Sequence, residues 1–122
     1  MPFAVSDAVG QVLAAALDGV TTRQQVIADN IANADTPGFR ATSVDFESQL
    51  KAAIDDGDFD SGAPVDVGVT ETPTDTPVGA NGNNVDLRKE TLAAMQSQYQ
   101  YQILTRAVSE RFNLIKTAAT GM

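Results

Sequence analysis

Apolar residues recur through the first third of the chain with the spacing of an amphipathic helix. Steps of four and three alternate, and Gln24 takes the one position where a hydrophobic residue is expected. A helix over 7–34 would be roughly 40 Å long at about 1.5 Å per residue. It therefore needs a second helix to cover its apolar stripe. The stripe consists of Val9, Leu13, Leu17, Val20, Ile27, Ile31 and Ala34.

Local signals divide the first half of the chain. Glycine and β-branched residues favour an interruption of the helix within 19–22. The sequence Asp-Thr-Pro-Gly at 35–38 predicts its end, because proline disfavours helical backbone before it and glycine admits a left-handed turn. The segment 39–46 suits an extended or irregular stretch folded back on the helix, and 47–54 predicts two further helical turns.

A second long helix is predicted between Asp86, a good N-cap, and Gly121, a good stop. Its apolar residues form two adjacent rows, together wider than the stripe of roughly 100° that one partner requires. We expect one row to meet the N-terminal helix in an antiparallel, coiled-coil-like hairpin and the other to meet a second chain. The rows are Leu92, Met95, Tyr99, Ile103, Ala107 and Leu114, and Tyr101, Leu104, Val108, Phe112 and Ile115.

The middle of the chain has the composition of a flexible loop. With Asp86 at its edge, 55–85 holds half of the 16 acidic residues and no Lys or Arg. Such a segment repels itself and buries too little surface to offset its ordering entropy. The predicted fold is all-α: an N-terminal helix (1–35), an irregular segment packed on it (36–54), a flexible acidic loop (55–85) and a C-terminal helix (86–122).

Composition removes the residues on which most hydrolytic and zinc chemistry depends. Cysteine and histidine are both absent, which removes disulfides, thiolate ligands and the commonest general base. A formal net charge of −8 opposes nucleic-acid binding, which needs a clustered positive face. The N-terminus lacks a secretory signal pattern, and no stretch nears the roughly 18 apolar residues of a membrane span. We expect no enzyme, cofactor, metal, nucleic acid or membrane insertion.

Two features invite a ligand hypothesis. Acidic residues alternate from Asp56 as in an EF-hand, but Gly62 then falls one position late and position 12 is Val67 instead of a glutamate. Tyr99 and Tyr101 stand among glutamines like a binding platform, yet their helical spacing favours packing. The preferred interpretations are a solvated acidic loop and a packing surface.

Two short segments carry a family resemblance. The first reads Asn-Ile-Ala-Asn at 30–33 and Pro-Gly-Phe at 37–39. It resembles the N-terminal signature of the axial flagellar rod and hook proteins. Its version Ala-Asp-Thr-Pro-Gly-Phe-Arg-Ala, followed by Val-Asp-Phe-Glu at 44–47, resembles the FlgB type in particular, as does Gly-Asn-Asn-Val-Asp-Leu at 82–87. Arg88 and Lys89 depart from the family, which more often has acidic residues there.

The resemblance implies a structural subunit of the proximal rod in the bacterial flagellar basal body. Such a subunit leaves through the flagellar type III exporter, transmits torque and surrounds the export channel. The implied partners are copies of itself, rod proteins of the FlgC, FlgF and FlgG types, the rod adaptor FliE and the MS ring. The alternatives are another axial rod protein of the FlgC type, a free-standing helical adaptor or chaperone, and an acidic calcium-binding protein.

Residues expected at the assembly interface lie on the helical stripes and in the signature. Asn30 and Asn33 either cap the first helix or bond a neighbouring subunit or the Phe39 loop, and both possibilities stay open. Pro37, Gly38 and Phe39 predict a turn with a buried aromatic anchor. The full set is Leu13, Leu17, Val20, Ile27, Asn30, Ile31, Asn33, Pro37, Gly38, Phe39, Leu92, Met95, Tyr99, Tyr101, Ile103, Leu104, Val108, Phe112 and Ile115.

Overall fold

The structure, a computed structural model, describes residues 2–121, with side chains from Asp7 onward. Across that range the chain forms α1 (Pro2–Ala32), β1 (Thr42–Asp45), α2 (Glu47–Asp55), β2 (Thr70–Pro73) and α3 (Leu87–Thr120). The terminal helices have 31 and 34 residues. At about 1.5 Å per residue each is about 45 to 50 Å long, and they pack against each other.

Helix α1 runs without interruption through 19–22, so the predicted break is wrong. The Thr22 hydroxyl donates to the Asp18 carbonyl at 3.0 Å within the helix, and so does not start a new one. Close packing explains the glycine at position 19, because a Cβ built there would lie 2.3 Å from Cγ of the Phe46 ring. The helix ends at Ala32, two residues before its predicted last residue, and the Pro37-Gly38 turn follows.

Helix α3 begins and ends as predicted. The Asp86 carboxylate accepts from the backbone N–H groups of Arg88 and Lys89 at 3.0 and 3.3 Å, which is N-cap geometry. Gly121 has φ +73° and donates its N–H to the Ala118 carbonyl at 3.3 Å. Helix α2 confirms the short helix predicted over 47–54.

Strands β1 and β2 correct the all-α prediction. They pair antiparallel, with Thr42 opposite Pro73 and Asp45 opposite Thr70. Strand β2 lies inside 55–85, so this segment is not irregular throughout; its four residues are all exposed and carry no alternation that would reveal the strand. The segment also buries Phe59, which is 3% exposed. The flexibility predicted for it stays a prediction.

The apolar core lies where β1 and α2 cross the middle of α1. Its buried members are Ala16, Val20, Val26, Val44 and Phe46, with Leu50, Val69 and Leu104 packed against them. Only Leu104 comes from α3, so this long helix is held by a different kind of contact along most of its length.

Candidate interaction surfaces

The side of α3 that faces α1 is built from small and polar side chains. Ser97 is fully buried and Glu90 is 5% exposed. Ala93, Gln100 and Leu104 are half-buried on the same side. These positions recur every three or four residues and therefore share one face. Leu104 is the one large apolar side chain among these five, so over residues 90–100 helix α3 meets α1 through small and polar groups.

The opposite side of α3 carries its large apolar side chains. Leu92, Met95, Tyr99 and Ile103 are 57%, 56%, 64% and 67% exposed. Together with the exposed residues Arg88 and Arg106 at either end, they occupy an arc of about 80° at 100° per residue. We call these six residues the outer face of α3.

The four apolar residues of the outer face lie on a stretch without charge, between Arg88 and Arg106. Residues 91–105 include no Asp, Glu, Lys or Arg, although a fifth of the chain is charged. A helix whose outer side remains exposed to solvent ordinarily carries charged residues on that side. The centre of a protein–protein interface instead typically has fewer charged residues, and more Tyr and Met, than the rest of the protein surface.

The second predicted row divides. Leu104 packs against the core and Val108 is half-buried, whereas Tyr101, Phe112 and Ile115 are exposed. The last two open onto a groove of about 390 Å³ between the ends of α1 and α3. The apolar lining of that groove is Gly10, Leu13, Ala14, Leu17, Val108, Phe112 and Ile115.

Helix α1 buries a line of residues that differs from the predicted stripe. Val20 and Ile27 are buried as expected, but Ile31 is 39% exposed and Leu13 and Leu17 are half-buried. Asn30, only 1% exposed, takes the position expected for Ile31. At the C-terminal end of α1, Asn30 and Asn33 take the place of apolar contacts, because each side chain hydrogen-bonds to backbone groups.

Asn30 connects α1 to β1. Its Nδ2 donates to the Thr42 carbonyl at 2.7 Å, and its Oδ1 accepts from the Thr42 N–H at 3.3 Å. Asn33 acts locally: its Nδ2 donates to the Asp29 carbonyl at 2.8 Å and its Oδ1 accepts from the Thr36 hydroxyl at 3.0 Å. Within this chain, Asn30 therefore binds the strand after the Phe39 loop, and Asn33 caps the helix end.

The two segments that carry the resemblance lie against each other. Asn83 donates its Nδ2 to the carbonyls of Asn33 and Thr36, both at 2.8 Å. Asn84 accepts from the Ala41 N–H at 2.6 Å through its Oδ1. Both side chains are buried, at 7% and 6% exposure. The segment 82–87 thus fixes the turn after α1 as well as the start of α3.

The Pro37-Gly38-Phe39 turn fits closely at this junction. Gly38 has φ +76° and donates its N–H to the Asn81 carbonyl at 3.0 Å. A Cβ on Gly82 would approach the Gly38 Cα to 3.2 Å. Phe39, the expected buried aromatic anchor, is half-buried, while Pro37 is exposed. The Phe39 backbone takes part in the turn: its N–H donates to the Thr36 carbonyl at 3.2 Å, and its carbonyl accepts from the Asn84 N–H at 3.3 Å.

Arg23 was not among the predicted residues, yet from α1 it contacts three other elements, β1, α2 and α3. Its guanidinium donates to both Glu47 carboxylate oxygens at 2.8 and 2.5 Å and to the Val44 carbonyl at 2.8 Å. It also donates to Gln100 Oε1 at 3.0 Å and lies 4.8 Å from the centre of the Phe46 ring. A planar guanidinium with five donors suits this convergence. Sequence patterning missed it because an arginine reads as a surface residue.

Two carboxyl groups near Arg23 titrate below their ordinary range. The hydrogen bond from Arg23 lowers the pKa of Glu47, against a smaller opposing effect of burial. At Asp45, hydrogen bonds from the backbone N–H and hydroxyl of Ser48 lower the pKa. Asp45 thereby accepts a hydrogen bond from a backbone N–H in the first turn of α2. The residue at the N-cap position, Phe46, has no side-chain acceptor that could do so.

Nothing in the described part of the chain resembles an ion or membrane site. No group of three or more Asp or Glu side chains within residues 2–121 is placed to hold a metal. The described helices also include none with the length and apolar character needed to cross a bilayer.

Comparison with known proteins agrees with the residues at this junction. The family described as flagella basal body rod protein matches residues 11–40. The chain is 36% identical over 119 residues to the flagellar basal body rod protein FlgB of Bacillus subtilis, covering 87% of this chain and 88% of the relative. It is 32% identical to FlgB of Borreliella burgdorferi, covering 81% and 86%. For FlgB of Escherichia coli the identity is 36%, covering 71% and 75%.

Proposed function

The chain belongs to the FlgB family of flagellar basal body rod proteins, and from that premise we propose how its two terminal helices build the rod. Membership makes it a structural subunit of the basal body rod and not an enzyme. It associates with other rod components and with copies of itself. The open question is which surfaces do this.

We infer that α1 and α3 form an antiparallel hairpin that is the subunit's contribution to the rod. Leu13 and Leu17, early in α1, share a groove with Phe112 and Ile115, late in α3. Further along α1, Arg23 bonds Gln100. Later in α1, Ile27 borders the same depression as Glu90 and Ala93. Successive positions along α1 therefore lie beside progressively earlier positions of α3, which is the antiparallel arrangement.

One observation carries the proposal: the outer face of α3 exposes four large apolar side chains on the uncharged stretch 91–105 of the helix. Burying such surface against neighbours contributes roughly 25 cal/mol per Å². A single subunit offers nothing to cover it within the described residues. Contacts between unlike surfaces of successive subunits that do not close into a ring extend into a helical tube.

The finer assignments follow from the family. We propose that the tube is the proximal rod, which transmits torque and encloses the export channel. The partners would be FlgC-, FlgF- and FlgG-type rod proteins, the adaptor FliE and the MS ring, and export would use the flagellar type III apparatus. The FlgC-type, adaptor and calcium-binding alternatives gain no support from any surface described above.

The test places a charge on the outer face in a strain that lacks its own copy of the gene. Ile103→Asp should abolish motility and stop rod assembly, because the aspartate would be desolvated against a neighbour. Ile103 is 67% exposed, so the isolated subunit should fold unchanged. Leu104→Asp would be ambiguous, since Leu104 packs against the core.

Val78→Asp is the matched control. Val78 is 43% exposed and lies outside both terminal helices. Motility should survive this change, and isolated basal bodies should contain the variant chain. Normal motility with Ile103→Asp, at normal protein levels, would overturn the proposal.

A further inference from the structure

We propose that the outer face of α3 docks on the exposed face of α1 in a second copy of this chain. The inference rests on the proposed function, because it assigns a partner surface to the face that the rod subunit leaves uncovered. The two exposed faces are complementary in side-chain size and in charge.

The exposed face of α1 is marked by evenly spaced aspartates. Asp7, Asp18 and Asp29 follow one another at intervals of eleven residues, and all three are exposed. Eleven residues make three turns with an offset of about 20°, so the three carboxylates share one line along the helix. The buried residues Val20 and Ile27 lie on the opposite side.

The two faces differ in side-chain size. Between the aspartates, α1 exposes Thr21, Gln25 and Ala28, together with Ala14 where it borders the groove shared with α3. Three of these four side chains are small. The outer face of α3 exposes leucine, methionine, tyrosine and isoleucine. Helices pack by placing the ridges of one into the grooves of the other, and a large-on-small pairing allows this at close distance.

The faces also differ in charge. Helix α3 has five basic and two acidic residues, a net charge of +3. Helix α1 has one basic and three acidic residues, a net charge of −2. Its one basic residue, Arg23, is engaged inside the subunit with Glu47. The exposed charge of α1 is therefore acidic, and that of the α3 outer face consists of Arg88 and Arg106.

These charges disfavour pairing of α3 with another α3. An antiparallel pair centred on the outer face would set Arg88 of one copy near Arg106 of the other, and a parallel pair would set each arginine against itself. Both arrangements bring like charges together. Pairing with α1 brings arginine toward aspartate, and because the two faces are unlike, each copy retains a free face for the next.

Disulfide trapping tests the pairing, since the chain has no cysteine of its own. Full-length chains with Tyr99→Cys are mixed with chains that have a cysteine at Ala14, Thr21 or Ala28. We expect a crosslinked dimer in at least one mixture, at a yield at least tenfold above that of either variant alone. A Tyr99→Cys sample that crosslinks equally well to itself would overturn the proposal, as would trapping only to a cysteine placed within 55–75.

A charge exchange in motile cells provides a second measurement. Reversing both arginines (Arg88→Glu with Arg106→Glu) should stop rod assembly, as should reversing two aspartates (Asp18→Lys with Asp29→Lys). The four changes together should restore it, because every contact regains opposite charges. The control, Asp56→Lys with Asp58→Lys, makes an equal charge change at exposed positions of the middle segment and should leave assembly intact.

The results separate the two proposals. Loss of assembly with Ile103→Asp but no recovery in the fourfold variant would overturn the α3-on-α1 contact and leave the rod function standing. Normal assembly with Ile103→Asp would remove both.

Discussion

The side-chain amide of Asn30 forms two hydrogen bonds with the backbone of Thr42, one to its carbonyl and one from its N–H. The Asn30 Nδ2 donates to the Thr42 carbonyl at 2.7 Å while the Thr42 N–H donates to Asn30 Oδ1 at 3.3 Å. Asn30 is 1% exposed, so neither bond competes with water. This pairing replaces, on one edge of β1, the partner that a neighbouring strand would provide.

Asn30→Asp should therefore destabilise the fold. The aspartate has the same shape but loses the donor, and its charge would be buried beside a carbonyl oxygen. We expect a loss of about 2 to 4 kcal/mol in the free energy of unfolding, measured by urea unfolding with circular dichroism at pH 7. Asn33→Asp is the control; its contacts lie within the helix end, and its cost should be about 1 kcal/mol or less. Equal effects of the two changes would contradict this account.

The two glycines of α1 should respond in opposite directions to alanine. A Cβ at Gly19 would lie 2.3 Å from the Phe46 ring, whereas one at Gly10 would meet nothing within 4 Å. Gly19→Ala should cost about 1 to 3 kcal/mol by displacing the ring. Gly10→Ala should stabilise the helix by up to about 1 kcal/mol. Melting temperatures of the two variants against the parent chain measure both, and a stabilised Gly19→Ala would refute the close packing.

Local signals explain which elements could be predicted. The ends of α3 follow from Asp86 and Gly121, each of which acts on neighbouring backbone groups. Helix α2 and the end of α1 follow from similar short-range patterns. The exposed row on α3 also follows, because a stripe can be too wide for one partner whatever that partner is.

The parts that escaped prediction depend on distant contacts. Strand β2 pairs with β1 across more than 20 residues, and its own residues are exposed on both faces. Asn83 reaches Asn33 across 50 residues. Arg23 is partly buried because Glu47, Val44 and Gln100 all accept hydrogen bonds from it. The periodicity of α1 alone does not predict these contacts. The Asn-Asn pair beside Gly82 was the one available signal, and it entered only through the family resemblance.

Ser97 should tolerate the loss of its hydroxyl but not a larger side chain. It is fully buried on the side of α3 that faces α1, and its Oγ has no hydrogen-bond partner among the side chains and backbone that the structure describes. Ser97→Ala should be neutral or stabilising by up to about 1 kcal/mol, because it removes an unsatisfied polar atom. Ser97→Leu should cost about 1 to 3 kcal/mol by forcing α1 and α3 apart.

The neighbouring Gln98 supplies the control for Ser97. It is exposed on the same helix, so Gln98→Ala and Gln98→Leu should each change stability by no more than about 0.5 kcal/mol. All four variants can be compared by urea unfolding under one set of conditions. A large penalty for Ser97→Ala would indicate that its hydroxyl makes a bond which the structure does not contain.

The bond between Arg23 and Glu47 should make stability depend on pH in the acid range. Folding lowers the pKa of Glu47 from its ordinary value of 4.5, chiefly through the Arg23 hydrogen bond. The contribution is therefore fully present above pH 4.5 and is lost as the pH falls through the lower folded value. Glu47→Gln should cost about 1 kcal/mol at pH 7, a modest figure because the carboxylate side chain is 51% exposed. Measured by urea unfolding, the gap between the two proteins should narrow toward pH 3. A gap that stays constant from pH 7 to pH 3 would show that Glu47 acts there by packing and not by charge.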